Sequence, residues 1–138
     1  MDISLIITTY NWKEALGVSL TSVLAQTVSP CEIIVADDGS RPDTGELVQR
    51  VAAAASVPVI HSWQEDRGFR LAMSRNRAIA RARGAYIVLI DGDIILDHRF
   101  IEDHRDFDRP SHFVQGTRVL LGPELSAQVL ASGELGRP

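Results

Sequence analysis

Asp91 and Asp93 flank Gly92 at the end of the apolar run Ala85-Tyr86-Ile87-Val88-Leu89-Ile90. In extended backbone, residues two apart point to the same side with Cα atoms roughly 7 Å apart, so both carboxylates can reach one cation or one metal–diphosphate cluster. Gly92 is expected to leave room for a ligand to approach the backbone. The plainer reading is a turn, because Asp-Gly is a common hairpin signal and acids crowd strand ends to stay wet.

Three other polar groups follow strand-like runs in the same way: Thr8-Thr9-Tyr10, Asp37-Asp38-Gly39-Ser40 and Glu65-Asp66-Arg67. Each has its own modest explanation. Asp38-Gly39-Ser40 could simply cap the next helix, Thr8 and Thr9 could be ordinary strand residues, and Tyr10 a half-buried aromatic. Parallel α/β sheets, however, bind ligands at the carboxyl ends of their strands, and all four groups fall there.

Arginine adds a fifth candidate. Leu71, Arg75 and Ile79 are spaced by four and share a helix face with Ala78 and Ala82, so Arg75 interrupts an apolar stripe. It either snorkels to the helix edge or pairs with a strand-end carboxylate or a phosphate. Arg70 lies close enough to the preceding loop to face a ligand, whereas Arg77 and Arg81 read as solvated. His61, His98, His104 and His112 lack metal-ligand spacing and read as ordinary residues. Glu102-Asp103 reads as a solvated helix face.

The elements that must position these groups alternate. Strands are expected at about 2–8, 31–36, 57–62 and 85–90 and helices at about 11–26, 43–55 and 70–83, with Asn11 and Glu14 forming a capping box at the first helix. A helix near 98–107, a strand near 114–121 and a helix near 123–131 complete the pattern. Such alternation predicts an α/β fold, a three-layer α/β/α sandwich around a mainly parallel sheet. The apolar character of 31–36 on both faces implies helices on either side.

With 138 residues, 45% hydrophobic and 23% charged, the chain is expected to be a single globular domain, 1–138. A net charge of −4 argues against a nucleic-acid binder. The single cysteine, Cys31, excludes an internal disulfide and suggests a buried thiol in a reducing, cytoplasmic setting. No signal-peptide pattern or membrane-length apolar run is evident, and neither a dinucleotide-binding glycine fingerprint nor a P-loop is present.

Taken together, Thr8-Thr9-Tyr10-Asn11, the segment 32–40 ending in Asp37-Asp38-Gly39-Ser40, Asp66-Arg67-Gly68-Phe69-Arg70 with Ser74-Arg75-Asn76, and Asp91-Gly92-Asp93 resemble family 2 glycosyltransferases of the GT-A (Rossmann-like) fold. The resemblance spans essentially the whole chain, with Asp91-Gly92-Asp93 as the DxD motif. It implies transfer of a sugar, with inversion, from a nucleotide-diphosphate sugar, foremost a UDP-sugar, to a saccharide or other hydroxyl acceptor. Thr8, Tyr10 and Asp38 would hold the base and ribose, with Arg70 near the base and Asp37 supporting the loop. Arg75 is grouped with the nucleotide-sugar site on its helix position. Asp91 would contact the ribose or a metal-bound water, and Asp93, with Asp91, would ligate Mn²⁺ or Mg²⁺. The family's general base and acceptor half lie downstream and are expected beyond Pro138, which makes this a truncated domain. Two alternatives stand: a nucleotide-sugar-binding module without activity, and a phosphatase-type Asp-x-Asp with Asp91 as nucleophile.

Overall fold

A computed structural model describes residues 2–134 of the chain. Branched apolar runs form four strands: β1 (Ile3–Thr9), β2 (Glu32–Asp37), β3 (Val59–Trp63) and β4 (Tyr86–Asp91). The helices are α1 (Lys13–Leu24), α2 (Pro42–Ala54), α3 (Leu71–Arg81), α4 (Phe100–Asp106) and α5 (Pro123–Ser132). None is long and apolar enough to cross a membrane.

The strands pair in parallel in the order β3-β2-β1-β4. The chain lays β1, β2 and β3 outward, then crosses back to place β4 on the other side of β1. That reversal is a topological switch point, where the loops leaving β1 and β4 diverge and open a crevice.

One sheet face, with Leu5, Ile7, Ile33, Val35, Val88 and Ile90, packs on Leu16, Leu20 and Val23 of α1, Val48 of α2 and Ile101 of α4. The other face presents Ile6, Ile34 and Ala36 to Ala78 of α3. Strands β1 and β2 are therefore buried on both faces, and the expected three-layer sandwich is present.

Several local expectations change. Strand β4 is only half buried, with Ile87 37% and Leu89 47% exposed, because it lies at the end of the sheet where α3 does not cover it. The segment 114–121 forms no strand, since it has no ladder partner among the described residues, and Val119 and Leu120 face solvent. The capping box is absent: Asn11 adopts a positive φ of 48° and accepts a hydrogen bond from the Arg41 amide, leaving Trp12 as N-cap. On α3 the buried stripe runs through Ser74 and Ala78, not Ile79, so Arg75 borders it rather than interrupting it. Cys31 is half-buried.

Strand β2 also carries a buried charge at its start. Glu32 accepts hydrogen bonds from Ser4 Oγ (2.6 Å), the Arg83 amide (2.6 Å) and Arg83 Nε (3.1 Å). Burial pushes this carboxyl up, but those three donors outweigh it and hold Glu32 below its ordinary value.

Candidate functional site

The site begins where β1 and β4 end side by side. Thr8 and Asp91 are register partners, and Thr8 Oγ1 donates to Asp91 Oδ1 at 3.2 Å. Arg75 Nη2, reaching across from α3, donates to the same oxygen at 2.8 Å. Arg118 Nη1 stands 4.0 Å from Asp91 Oδ2. Asp91 is thus committed to protein cations. Asp93 is exposed and has no hydrogen-bond or ion-pair partner among the described residues.

Gly92 is required for a reason beyond the one the sequence suggests. A Cβ there would collide with the Thr8 carbonyl oxygen, so β1's own backbone makes a close approach to it.

The turn after β2 is built around two aspartates with different jobs. Asp37 is fully buried and accepts from the Ser40 amide (2.8 Å) at Oδ1, with His61 Nε2 2.8 Å from Oδ2. Asp38 accepts from Gln64 Nε2 (2.5 Å) and the Arg70 amide (2.7 Å). Gly39 takes a φ of 99°, and a Cβ on it would lie 2.5 Å from Asp66 Cα. His61, expected to be ordinary, is therefore the partner of a buried carboxylate.

The loop after β3 closes the same mouth. Tyr10 Oη donates to Asp66 Oδ2 at 2.9 Å, while the Gly68 amide donates to Asp66 Oδ1 at 3.1 Å. The hydrogen bond to Asp66 and the negative charge it carries raise the Tyr10 pKa above its ordinary value.

These groups surround one cavity of about 460 Å³. Of the residues singled out in the sequence, Thr8, Tyr10, Asp38, Arg75, Asp91 and Asp93 line it. Asp37 and Arg70 do not: Asp37 sits beneath the turn, and the Arg70 guanidinium turns back to the Glu65 carbonyl at 2.6 Å. Gly68 and Phe69, from the motif at 66–70, line it too, and Trp12 and Arg118 do so without having been anticipated. Arg118 fell in a stretch expected to be a strand, and nothing local marks it as reaching back to Asp91.

Among the described residues, no group of three or more His, Cys, Asp or Glu side chains forms a metal cage. The donor set still fits Mg²⁺ or Mn²⁺, which commonly takes one or two carboxylates and completes its shell with phosphate oxygens and water. Asp93, which lines the cavity and has no side-chain partner among the described residues, suits that role better than Asp91.

A family model described as "Glycosyl transferase family 2" matches residues 4–129. The chain belongs to glycosyl transferase family 2. It is 31% identical over 91 residues to an Escherichia coli beta-1,3-glucosyltransferase, WfaP, that uses UDP-Glc, covering 66% of this chain and 35% of that protein. Among solved structures, Staphylococcus aureus TarS 1–349 in complex with UDP-GlcNAc superposes with a TM-score of 0.64 at 25% identity, covering 78% of this chain and 31% of that one. A mannosyltransferase from Pyrobaculum calidifontis in complex with GDP-Man and Mn²⁺ gives a TM-score of 0.55 at 27% identity over 66% of this chain and 27% of that one.

The family 2 fold is thus the GT-A-type parallel sheet expected from the sequence, and the chain is short against its relatives. The first seven curated relatives it matches are spanned over only 10–46% of their length. A phosphatase reading of Asp91 does not survive the family assignment.

Proposed function

We propose that the chain is the donor-binding part of an inverting glycosyltransferase that takes a nucleotide-diphosphate sugar, foremost a UDP-sugar, with Mn²⁺ or Mg²⁺ at the DxD motif. The observation that carries this reading is the single cavity shared by Tyr10, Asp38, Arg75, Asp91 and Asp93. Strands β2 and β4 flank β1, so Asp38 and Asp91 stand two strand spacings apart, roughly 10 Å, on either side of the crevice.

In this reading Tyr10 and Asp38 receive the nucleoside. Asp38 presents acceptor oxygens held in place by Gln64 and the Arg70 amide, which suits a base with an N–H on its pairing edge. Thr8 and Arg75 hold Asp91 toward the ribose, and Asp93 faces the diphosphate. A divalent cation bound there would neutralise charge building on the departing nucleotide diphosphate. The acceptor hydroxyl forms its bond to the anomeric carbon as the carbon–oxygen bond to the diphosphate breaks, and its proton passes to a carboxylate base.

That base is not in the cavity, whose acids are Asp38, Asp91 and Asp93, all with other work. It is proposed to come from chain that the relatives possess beyond the portion matched here, together with the acceptor site. The relatives' greater length also supports a second reading, a nucleotide-sugar-binding module without transferase activity. A reducing, cytoplasmic location is proposed on the single thiol, Cys31.

Calorimetry with UDP, UDP-GlcNAc and GDP-mannose in Mn²⁺, repeated in EDTA, tests the donor site. Binding of UDP that disappears with EDTA supports it, and no binding of any of the three overturns it. Release of free sugar from a bound donor then separates the enzyme from the module.

A further inference from the structure

The end of β3 supplies a donor to each aspartate of the turn after β2. His61 serves Asp37, and Gln64 serves Asp38. Asp37 is completely buried, so its carboxylate needs partners for both oxygens. Oδ1 has the Ser40 amide and, among the described residues, Oδ2 has only His61 Nε2, which must carry the hydrogen because the carboxylate can only accept.

The imidazole has a prepared seat. A Cβ at Gly45 on α2 would lie 3.3 Å from His61 Cε1, so the glycine leaves the ring its place against the helix. From the same strand, Trp63 Nε1 donates to the Ser40 carbonyl at 3.1 Å. Ser40 Oγ in turn accepts from the Asn11 amide at 2.8 Å, and Asn11 Oδ1 accepts from the Arg41 amide at 2.9 Å. The turn is therefore tied on one side to β3 and on the other to the loop that carries Tyr10.

We propose that His61 is a positioning residue for nucleotide binding: through Asp37 it fixes the turn that presents Asp38 to the base. His61 does not line the cavity and touches no ligand in this scheme. The proposal rests on the donor-site reading given above. Loss of its hydrogen bond leaves a buried carboxylate oxygen unsatisfied, and the turn relaxes toward water, moving Asp38 and the Asn11 contact with it. The diphosphate end, built on β1, β4 and α3, does not use the His61–Asp37 or Trp63–Ser40 bonds; it meets the turn through the Asp38 amide on the Thr9 carbonyl and the Arg70 amide on Asp38, contacts that His61 does not make.

The test measures two ligands by calorimetry in Mn²⁺: UDP, which needs the base site, and inorganic pyrophosphate, which does not. His61→Leu is expected to weaken UDP about tenfold, in line with the loss of one buried charge-assisted hydrogen bond, while leaving pyrophosphate within twofold. His61→Gln, which can place an amide donor near the position of Nε2, is expected to restore UDP affinity. If the leucine variant does not fold, His61→Asn, whose donor is set back, takes its place against His61→Gln.

Unchanged UDP affinity in the variant without the donor, equal weakening of both ligands, or failure of glutamine to rescue overturns the proposal. If the unaltered protein binds no UDP at all, the donor-site reading itself has failed, a result distinct from any of these.

Discussion

Thr8 and Asp91 lie 83 residues apart in sequence and are neighbours in the sheet, joined by a 3.2 Å hydrogen bond at the mouth of the β1/β4 crevice. That bond and the one from Arg75 converge on a single oxygen of Asp91. The two acids of the Asp91-Gly92-Asp93 motif are consequently unequal: one is locked to the scaffold, the other is open to solvent and ligand.

Asp93→Asn is the substitution that tests this inequality. It is expected to weaken Mn²⁺-dependent UDP binding by more than about tenfold, because the open carboxylate is lost, with thermal stability unchanged because the side chain has no partner among the described residues. Calorimetry and a melting curve on the same sample decide it. Unaltered UDP affinity would sink the metal assignment.

Arg75→Met separates stability from binding. The Arg75–Asp91 pair is 37% and 46% exposed, so its removal should cost under about 1 kcal/mol of stability. Affinity for UDP should fall more steeply, since Asp91 is then free to swing out of place. Denaturant titration set beside calorimetry reads both quantities.

Gly92→Ala should destabilise the fold itself. The new methyl group meets the Thr8 carbonyl, and two paired strands must part to admit it, a strain of about 1–3 kcal/mol. A midpoint in urea equal to that of the unaltered protein would show that the strand ends are more pliable than their packing implies.

Glu32 gives a pH-dependent prediction whose sign can be worked out. Its folded pKa lies below its unfolded value, so the stabilisation is complete above about pH 4.3 and is lost as pH falls through the folded value. The stability gap between the unaltered protein and Glu32→Gln should be wide at pH 7 and should narrow below roughly pH 4. Melting temperatures across that range check it, and a gap that stays constant contradicts the account.

Mn²⁺ should bind weakly to the protein alone and much more tightly once UDP is present. Among the described residues no three-ligand cage exists, so phosphate oxygens must complete the shell. Electron paramagnetic resonance of free Mn²⁺, with and without UDP, measures this coupling.

Much of this protein was legible in its sequence because the signals are local. Apolar runs alternating with helical periodicity fix the parallel α/β class, and the residue following each strand falls at a carboxyl end wherever that strand lies in the sheet. The groups Thr8-Thr9-Tyr10, Asp37-Asp38 and Asp91-Gly92-Asp93 are therefore assigned to one edge of the sheet by their positions in the sequence alone.

What only the tertiary structure decided are relationships across long stretches of chain. Strand order makes Thr8 and Asp91 neighbours and leaves β4 half bare. Packing of α3 carries Arg75 to Asp91, and the end of β3 carries His61 to Asp37 and Gln64 to Asp38. The stretch 114–121 shows the converse: a strand-like stretch becomes a strand only when a neighbour supplies a hydrogen-bond ladder, and among the described residues none does. Even Gly92, conspicuous from the start, owes its place to a carbonyl on another strand. Residue type and local period are carried by the sequence alone, whereas the partner of a buried carboxylate or of a bare backbone is set by which surfaces meet when the sheet is assembled.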